Sequence, residues 1–496
     1  MKKSRIFSVF AFLLFLAATG LVFYFLYRSQ MLPMRLLIIG AVLFFIVVML
    51  LAFLVFKAKS SFLIISGGVL CLLFGAVLLY AGIVSTSGLD TAQSIFSGET
   101  KKEVSYLYVY MLKDETDEDT KLSADMSYGI LRQDEANTKE VIGDLEAEFN
   151  STLKTKSYEG PTRLIDALRD HEVDAIILNT AFLPLIEDTE GYENISDSLR
   201  SVSKLHTVER EVPTKETGKK PAKTGSEGAE LSKEEDDQCF IVYISGIDTR
   251  LNDLVENSRS DTNILAIVNP KSHQILLLTT PRDYYVPLKF PDFVSSRDKL
   301  THAGIYGVQV SMDTLGMLYD IDVDYYFRVN FNGFVDIVEA MGGVTVYVEK
   351  EFSTTEYTFK QGPNELNGYK ALSFVRNRFG IGDQQRGRNQ MAFVKGVINK
   401  ATSTDMLLNF NSILKAVDGC FESSMPYDVI SALVREQIET GAEWNVVTYA
   451  VTGTGNSAIP YSMNIEVYVM DPDMSTVETA KGLIQQVLAG DILTQP

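Results

Sequence analysis

The chain has only three cysteines in 496 residues, Cys71, Cys239 and Cys420. No two of them stand at metal-ligand spacing, which excludes a thiolate zinc site and a dense disulfide framework as the devices that hold the fold. Cys71 falls in an apolar run. Cys239 and Cys420 either pair or remain two small buried thiols, the commoner arrangement. Positive charge is also in short supply, the formal net charge being −19. That balance excludes a broad basic surface for sequence-independent DNA binding, which works by counterion release, and no helix-turn-helix with a basic face is present. The acidic stretch "KDETDEDT" lacks the glycine and terminal glutamate of an EF-hand loop and reads as a solvated loop.

What the chain has in abundance is apolar sequence, 46% of all residues. Three runs, roughly 6–27, 36–56 and 62–84, each reach the ~20 residues needed to cross ~30 Å of hydrocarbon. They are expected to be three transmembrane helices, with residues 1–84 as the membrane unit. The first run is too long for a cleaved signal peptide and lacks a small-residue cleavage site. Lys2, Lys3, Arg5, Lys57 and Lys59 flank one side of the spans, and only Arg28 and Arg35 the other. The excess of basic residues places the N-terminus in the cytoplasm and everything after about residue 85 outside, in a multi-pass membrane protein.

The remainder divides at a shift in composition. Residues 98–208 alternate strand-like and helical patterns ("VSYLYVYML", "TKEVIGDLEAEFNSTL", "PTRLIDALRDHEV", "DAIILNT") and are expected to form a small α/β accessory domain. Residues 209–237, rich in Lys, Glu, Gly and Pro, read as a flexible linker. Residues 238–496 read as a larger α/β domain, with a central mixed sheet and flanking helices around 303–319, 332–341 and 389–401.

Within that domain, charged residues fall where strands end, which is where sites sit in open α/β sheets. Asp248 closes one strand, Arg259 and Asp261 precede the next, and Arg282 and Asp283 close the third. Any one of these alone would be an ordinary ion pair or helix cap; three successive strand ends point to a site. Farther on, "SFVRNRFGIGDQQRGRNQ" places Arg376, Arg378, Arg386 and Arg388 around a glycine-rich bend. A helix starting near Arg386 would carry Arg386 and Gln390 on one face close to its N-terminus, where free N–H groups favour an anion. Several guanidinium groups suit a pyrophosphate, and Asp248 and Asp261 are hard ligands suited to a bridging Mg2+.

From Cys239 onward, with "DKLTHAGIYG", "DYYFRVNFNGF", "ALSFVRNRF" and "DQQRGRNQ", the sequence resembles the LytR-CpsA-Psr family, and its capsule-locus members most of all. The resemblance extends to the three spans and the accessory domain ahead of the core. It implies a phosphotransferase that moves an anionic glycan, capsular polysaccharide in the first instance, from undecaprenyl pyrophosphate to peptidoglycan. By the same resemblance Asp248 and Asp261 hold Mg2+. Arg259, Arg282, Arg376, Arg378, Arg386 and Gln390, with Lys299 beside them, hold the pyrophosphate, and the lipid tail lies in an apolar pocket of the core. Three rival functions stand beside this one: a hydrolase of the same carrier, a non-catalytic receptor for lipid-linked polymer, and, least favoured, a transcriptional regulator. Asp283, Asp383 and His302 are candidates for a general base, though each fits a structural role as readily.

Overall fold

The computed structural model describes residues 2–96, 101–113, 121–212, 239–247, 254, 256–377, 382–403, 406–407 and 410–494. Asp248, Arg378 and most of the expected linker lie outside them. Three helices open the chain, α1 (Lys2–Ser29), α2 (Met34–Phe56) and α3 (Ser61–Ile95), and each is long and apolar enough to cross a membrane. They are apolar on all sides, as lipid-facing helices are. α1 and α3 approach closely at Gly68, where an added Cβ would lie 2.6 Å from Ser8 Oγ, a small-residue contact of the kind that joins membrane helices. At one end of the bundle Arg5 donates to the Ala58 carbonyl at 3.2 Å. At the other, the Tyr427 hydroxyl donates to the Ser29 carbonyl at 2.8 Å and Arg435 to the Gln30 carbonyl at 3.2 Å. The folded domains therefore lie at the end opposite the N-terminus. α3 does not stop near residue 84 but continues to Ile95, and Ala92, Ile95 and Phe96 join the apolar layer beneath the core sheet.

The next unit contains β1 (Lys101–Leu112), β2 (Ser127–Leu131), α4 (Glu135–Phe149), β3 (Lys154–Tyr158), α5 (Pro161–Arg169), β4 (Ala175–Asn179), α6 (Leu183–Glu187), α7 (Ile195–Ser198), β5 (Leu199–Ser201) and β6 (His206–Val212). Its strands form one sheet in the order β3-β2-β4-β1-β5, with β6 also paired to β1. Alternation along β1 serves two faces. Leu107, Val109 and Met111 pack with Val141 and Leu145 of α4, whereas Tyr110 packs with Leu164 and Leu168 of α5. β6 shows that residues 209–212 belong to the sheet and not to the linker. Its sequence, HTVEREV, is too polar to signal a strand, and its pairing is partly ionic, Lys102 meeting Glu209 at 2.7 Å.

The third unit is built on β7 (Phe240–Ile247), β8 (Ser260–Asn269), β9 (Gln274–Thr279), β10 (Tyr285–Lys289), β11 (Val294–Lys299), α8 (Val308–Tyr319), β12 (Tyr325–Val329), α9 (Phe331–Ala340), α10 (Gly368–Arg376) and α11 (Gly382–Ala401). The central sheet is mixed, running from strand Phe421–Ser423 through β12, β7, β8 and β9 to strand Asn445–Ala450. Leu265, Ile267, Leu276 and Leu278 pack on α8 and the helix Met474–Ala489. Ile264, Ala266, Ile275 and Leu277 face α11 and the helices Phe410–Ala416 and Tyr427–Thr440. Burial on both faces explains why these strands read as continuous apolar runs. Cys239 and Cys420 are half-buried free thiols and do not pair.

The two soluble units are joined through a buried ionic cluster. Arg328 of β12, only 2% exposed, meets Glu103 of β1 at 3.1 Å and Glu422 at 2.6 Å. Glu103 also accepts from the Val308 amide at 2.5 Å, which ties β1 to the start of α8.

Candidate functional site

Sheet topology brings the predicted residues together. β9 is antiparallel to β8 and parallel to strand Asn445–Ala450, so the carboxyl end of β9 lies beside the start of β8 and beside Ala450. The Thr280 amide donates to the Asn263 carbonyl at 2.9 Å, closing that edge. Arg282 and Asp283 follow in the turn after β9, which is pinned by the Thr301 amide on the Arg282 carbonyl at 2.8 Å.

A bulge aims Asp261. Pairing between β7 and β8 steps from Gly246–Thr262 to Ile247–Ser260, leaving Asp261 as an extra residue on β8. On a regular strand Ser260 and Asn263 would face opposite ways. Here both reach the buried Tyr243 hydroxyl, at 2.8 and 2.7 Å, because the extra residue resets the alternation. Asp261 then accepts from Arg282 Nη1 at 2.9 Å and from Thr301 Oγ1 at 3.4 Å.

α11 closes the cleft from above. Gly387 lets it come down on β9, where an added Cβ would sit 3.2 Å from Thr279 Cγ2. The cleft is lined by Asp261, Asn263, Arg282, Asp283, Arg386 and Gln390, with Thr279, Thr280 and Val451 among the remaining lining residues. α11 starts at Gly382, a turn earlier than expected. Arg386 and Gln390 therefore lie within the helix and line the cleft. Arg388 is exposed and donates to the side-chain Oε1 of Gln385 at 2.7 Å.

Burial works to raise the Asp261 carboxyl, but the guanidinium groups of Arg282, Arg259 and Arg386 outweigh it and hold its pKa below the ordinary value. Arg259 thus stands close to Asp261, although it does not line the cleft itself; its guanidinium pairs with Asp188 of the accessory unit. Lys299 lies one step back, 3.3 Å from Asp283, which Arg282 Nε also approaches at 3.5 Å. The Val375 carbonyl accepts from Gln390 Nε2 of the cleft at 3.4 Å, and Arg376 follows it without itself lining the cleft. Arg376 ends α10 and lies over the Phe331 ring, 4.2 Å from its centre. His302 is buried between Asp298 and Ser462, each at 2.7 Å, a structural place with no access to the cleft. Asp383 lies in the first turn of α11.

Sequence reasoning missed Asp188, which sits in another unit, and Asn263, whose side chain the bulge turns inward. A donor set for a hard cation is present in part. Asp261 is held ionised in the cleft, beside Asn263 and Thr280, and among the described residues no group of three or more His, Cys, Asp or Glu forms a closed cage. The carboxylate of Asp261 and the neutral oxygens of Asn263 and Thr280 are hard donors of the type that Mg2+ takes.

The cleft thus gathers Arg282, Arg386, Asp261 and Asp283 at one edge of the central sheet, in a chain that opens with three helices long and apolar enough to cross a membrane. The chain belongs to the LytR_cpsA_psr family, whose family model matches residues 200–481. It is 34% identical over 192 residues to an Enterococcus faecalis protein named polyisoprenyl-teichoic acid–peptidoglycan teichoic acid transferase TagU, covering 38% of this chain and 62% of that protein. The Bacillus subtilis protein of the same name is 31% identical over 219 residues, covering 44% of this chain and 69% of its own length. The crystal structure of B. subtilis TagU superposes with a TM-score of 0.40 at 27% identity, over 52% of this chain and all (100%) of that one.

Proposed function

We propose that the protein is an extracytoplasmic phosphotransferase that moves an anionic glycopolymer from a polyprenyl-pyrophosphate carrier to peptidoglycan. The observation that supports this most is the convergence of Arg282, Arg386 and ionised Asp261 in one cleft. In this reading a hydroxyl of the peptidoglycan sugar, the muramic acid C6 hydroxyl, attacks the glycan-bearing phosphorus. An O–P bond forms, the bridging P–O bond of the pyrophosphate breaks, polyprenyl monophosphate leaves, and the hydroxyl proton passes to a base.

Such a transfer needs positioning and charge stabilisation more than covalent help. Arg282 and Arg386 supply fixed charge on the phosphate oxygens, and Gln390 a neutral donor. Arg259 and Lys299 back them from the rim, with Arg376 and Arg378 assigned the same anion by the family resemblance. Asp261, with Asp248, would hold Mg2+, which would neutralise phosphate oxygens when bound. Asp283 faces Arg282 and Lys299, a pairing that favours holding those cations in place over accepting a proton.

The membrane ends carry the topology. The Arg5–Ala58 contact groups the basic flanks on one side, so a cytoplasmic N-terminus, three passes and external folded domains satisfy the positive-inside rule. Undecaprenyl is the carrier expected from the resemblance. Capsular polysaccharide follows from the capsule-type motifs, whereas the relatives' names point to teichoic acid; a clamp on the diphosphate serves either polymer.

The test is to give the full chain in detergent a synthetic undecaprenyl-pyrophosphate glycan, Mg2+ and peptidoglycan oligomers, and to follow products by mass spectrometry. A glycan joined to muramic acid by a phosphodiester is expected. Free phosphoglycan as the sole product would make the protein a hydrolase, and donor binding without any product would make it a receptor.

A further inference from the structure

Among the described residues, the accessory unit meets the candidate site at Arg259. Its α6 ends at Glu187, and Asp188, in the position that closes this five-residue helix, turns its carboxylate to the Arg259 guanidinium. A carboxylate at a helix C-terminus opposes the helix dipole, so local helix chemistry does not account for an acid there. Arg259 does. The partners differ in exposure: the Arg259 side chain is 12% exposed and Asp188 67%, so the carboxylate comes to a nearly buried cation from the solvent side. The backbone around Arg259 is held independently of this pair. Thr180 donates to Glu256 Oε1 at 3.1 Å, the Asn257 amide donates to the Val104 carbonyl at 3.0 Å, and Asn257 Nδ2 donates to Ser105 Oγ at 3.2 Å. Asp188 is therefore not needed to place the segment; what it adds is a negative charge on one guanidinium.

That charge sits where an anion would go. Arg282 and Arg386 line the cleft with Asp261, and Arg259 stands two residues before Asp261, at the entry to β8. An anion with one phosphate group can be held by Arg282 and Arg386 alone. An anion with two can place the second on Arg259, but only by displacing Asp188. We infer that Asp188 is a specificity-determining residue: an internal carboxylate that holds the second-phosphate position at Arg259, so that only a diphosphate ligand engages the whole cleft and, in doing so, releases the accessory unit's contact. This inference rests on the cleft being the diphosphate site proposed above.

The test is calorimetric titration of the full chain in detergent, in the presence of Mg2+, with inorganic pyrophosphate and separately with inorganic phosphate. Asp188→Asn removes the competing charge and should tighten pyrophosphate about two- to fivefold, the range expected for an exposed ion pair, while changing phosphate affinity by less than about twofold. In an Arg259→Ala background the Asp188→Asn effect should vanish, and Asp188→Glu should behave as wild type. Melting curves show whether each variant is folded. Pyrophosphate affinity unchanged or weakened by Asp188→Asn, or equal tightening of both anions, would overturn the inference. In that event loss of pyrophosphate binding in Arg282→Ala would leave the cleft reading standing. A wild-type protein that binds no pyrophosphate would remove both.

Discussion

Among the described residues two clusters of arginine and carboxylate stand out, and they differ in how far solvent reaches them. Arg328 is sealed between Glu103 and Glu422, all three buried, at the joint between the accessory and core units. Arg282 shares Asp261 with the pull of Arg259 and Arg386, in a cleft open to solvent. In the first cluster carboxylates outnumber the cation. In the second, among the described residues, Arg259, Arg282, Arg386 and Lys299 face Asp261, Asp283 and Asp188. A saturated buried triad fixes two domains and has nothing left to bind. A cluster that lines an open cleft at the sheet edge can be reached by an anion from outside.

The two carboxylates at the centre of these clusters move in opposite directions. Burial raises Glu103, with Glu422 adding to the rise against the pull of Arg328 and the Val308 amide. Asp261 is lowered despite its burial. The difference is the number of positive charges within reach, one against three, set against a similar cost of burial.

The largest way to break the comparison is to remove Arg328. Arg328→Met would leave Glu103 and Glu422 buried without a cation, and is expected to cost about 3–5 kcal/mol of stability, read as a large fall in melting temperature of the full chain in detergent. A loss below about 1 kcal/mol would mean that the two acids are neutral or hydrated and that the triad does not hold the domains.

A smaller effect separates the two acids by pH. Because the folded pKa of Glu103 is raised, the advantage of its neutral form is complete below its unfolded value near 4.5 and is lost as pH rises through the folded value. Glu103→Gln should therefore gain on wild type in melting temperature as pH rises above about 4.5. Asp261 has the opposite sign. Its contribution is present above its unfolded value of 3.8 and is lost only as pH falls through a lower folded value, so the gap between wild type and Asp261→Asn should stay constant from about pH 5 to 8. A gap that changes there, measured by the same melts, would place Asp261 outside the field of its arginines.

The smallest effect belongs to Arg388, which is exposed and held only by Gln385 in the described contacts. Arg388→Ala should alter turnover by less than about twofold and leave the melting temperature in place. A tenfold loss would show that α11 turns on binding and that its outer face reaches the ligand.

Much of this was legible in the sequence because burial writes a plain signal. β8 and β9 are buried on both faces, so ILAIV and ILLL could hardly be read otherwise. The site was legible where chain position alone decides it: Arg282 follows a strand and Arg386 follows a glycine bend. It was not legible where a side chain's direction depends on a local irregularity. The bulge at Asp261 turns Asn263 inward, and α11 already runs from Gly382, so that Arg386 lies within the helix. Arg376 carries the same charge as Arg282 but finds an aromatic face, and nothing in "ALSFVRNRF" foretells Phe331 as its neighbour. Contacts across units were the least visible. Arg328 does stand in a strand whose neighbours are apolar, a pattern that signals a buried charge in need of partners, but the pattern cannot say that one of them, Glu103, comes from a different domain.

The central claim is that the guanidinium groups in the cleft do chemistry on a pyrophosphate and are not part of what holds the fold. The most direct measurement is the turnover of Arg282→Ala with the undecaprenyl-pyrophosphate glycan, taken with its melting temperature. Turnover about 10²–10³ lower, with a melting temperature within a few degrees of wild type, is the predicted result. Turnover within about threefold of wild type in a folded Arg282→Ala protein would contradict the account.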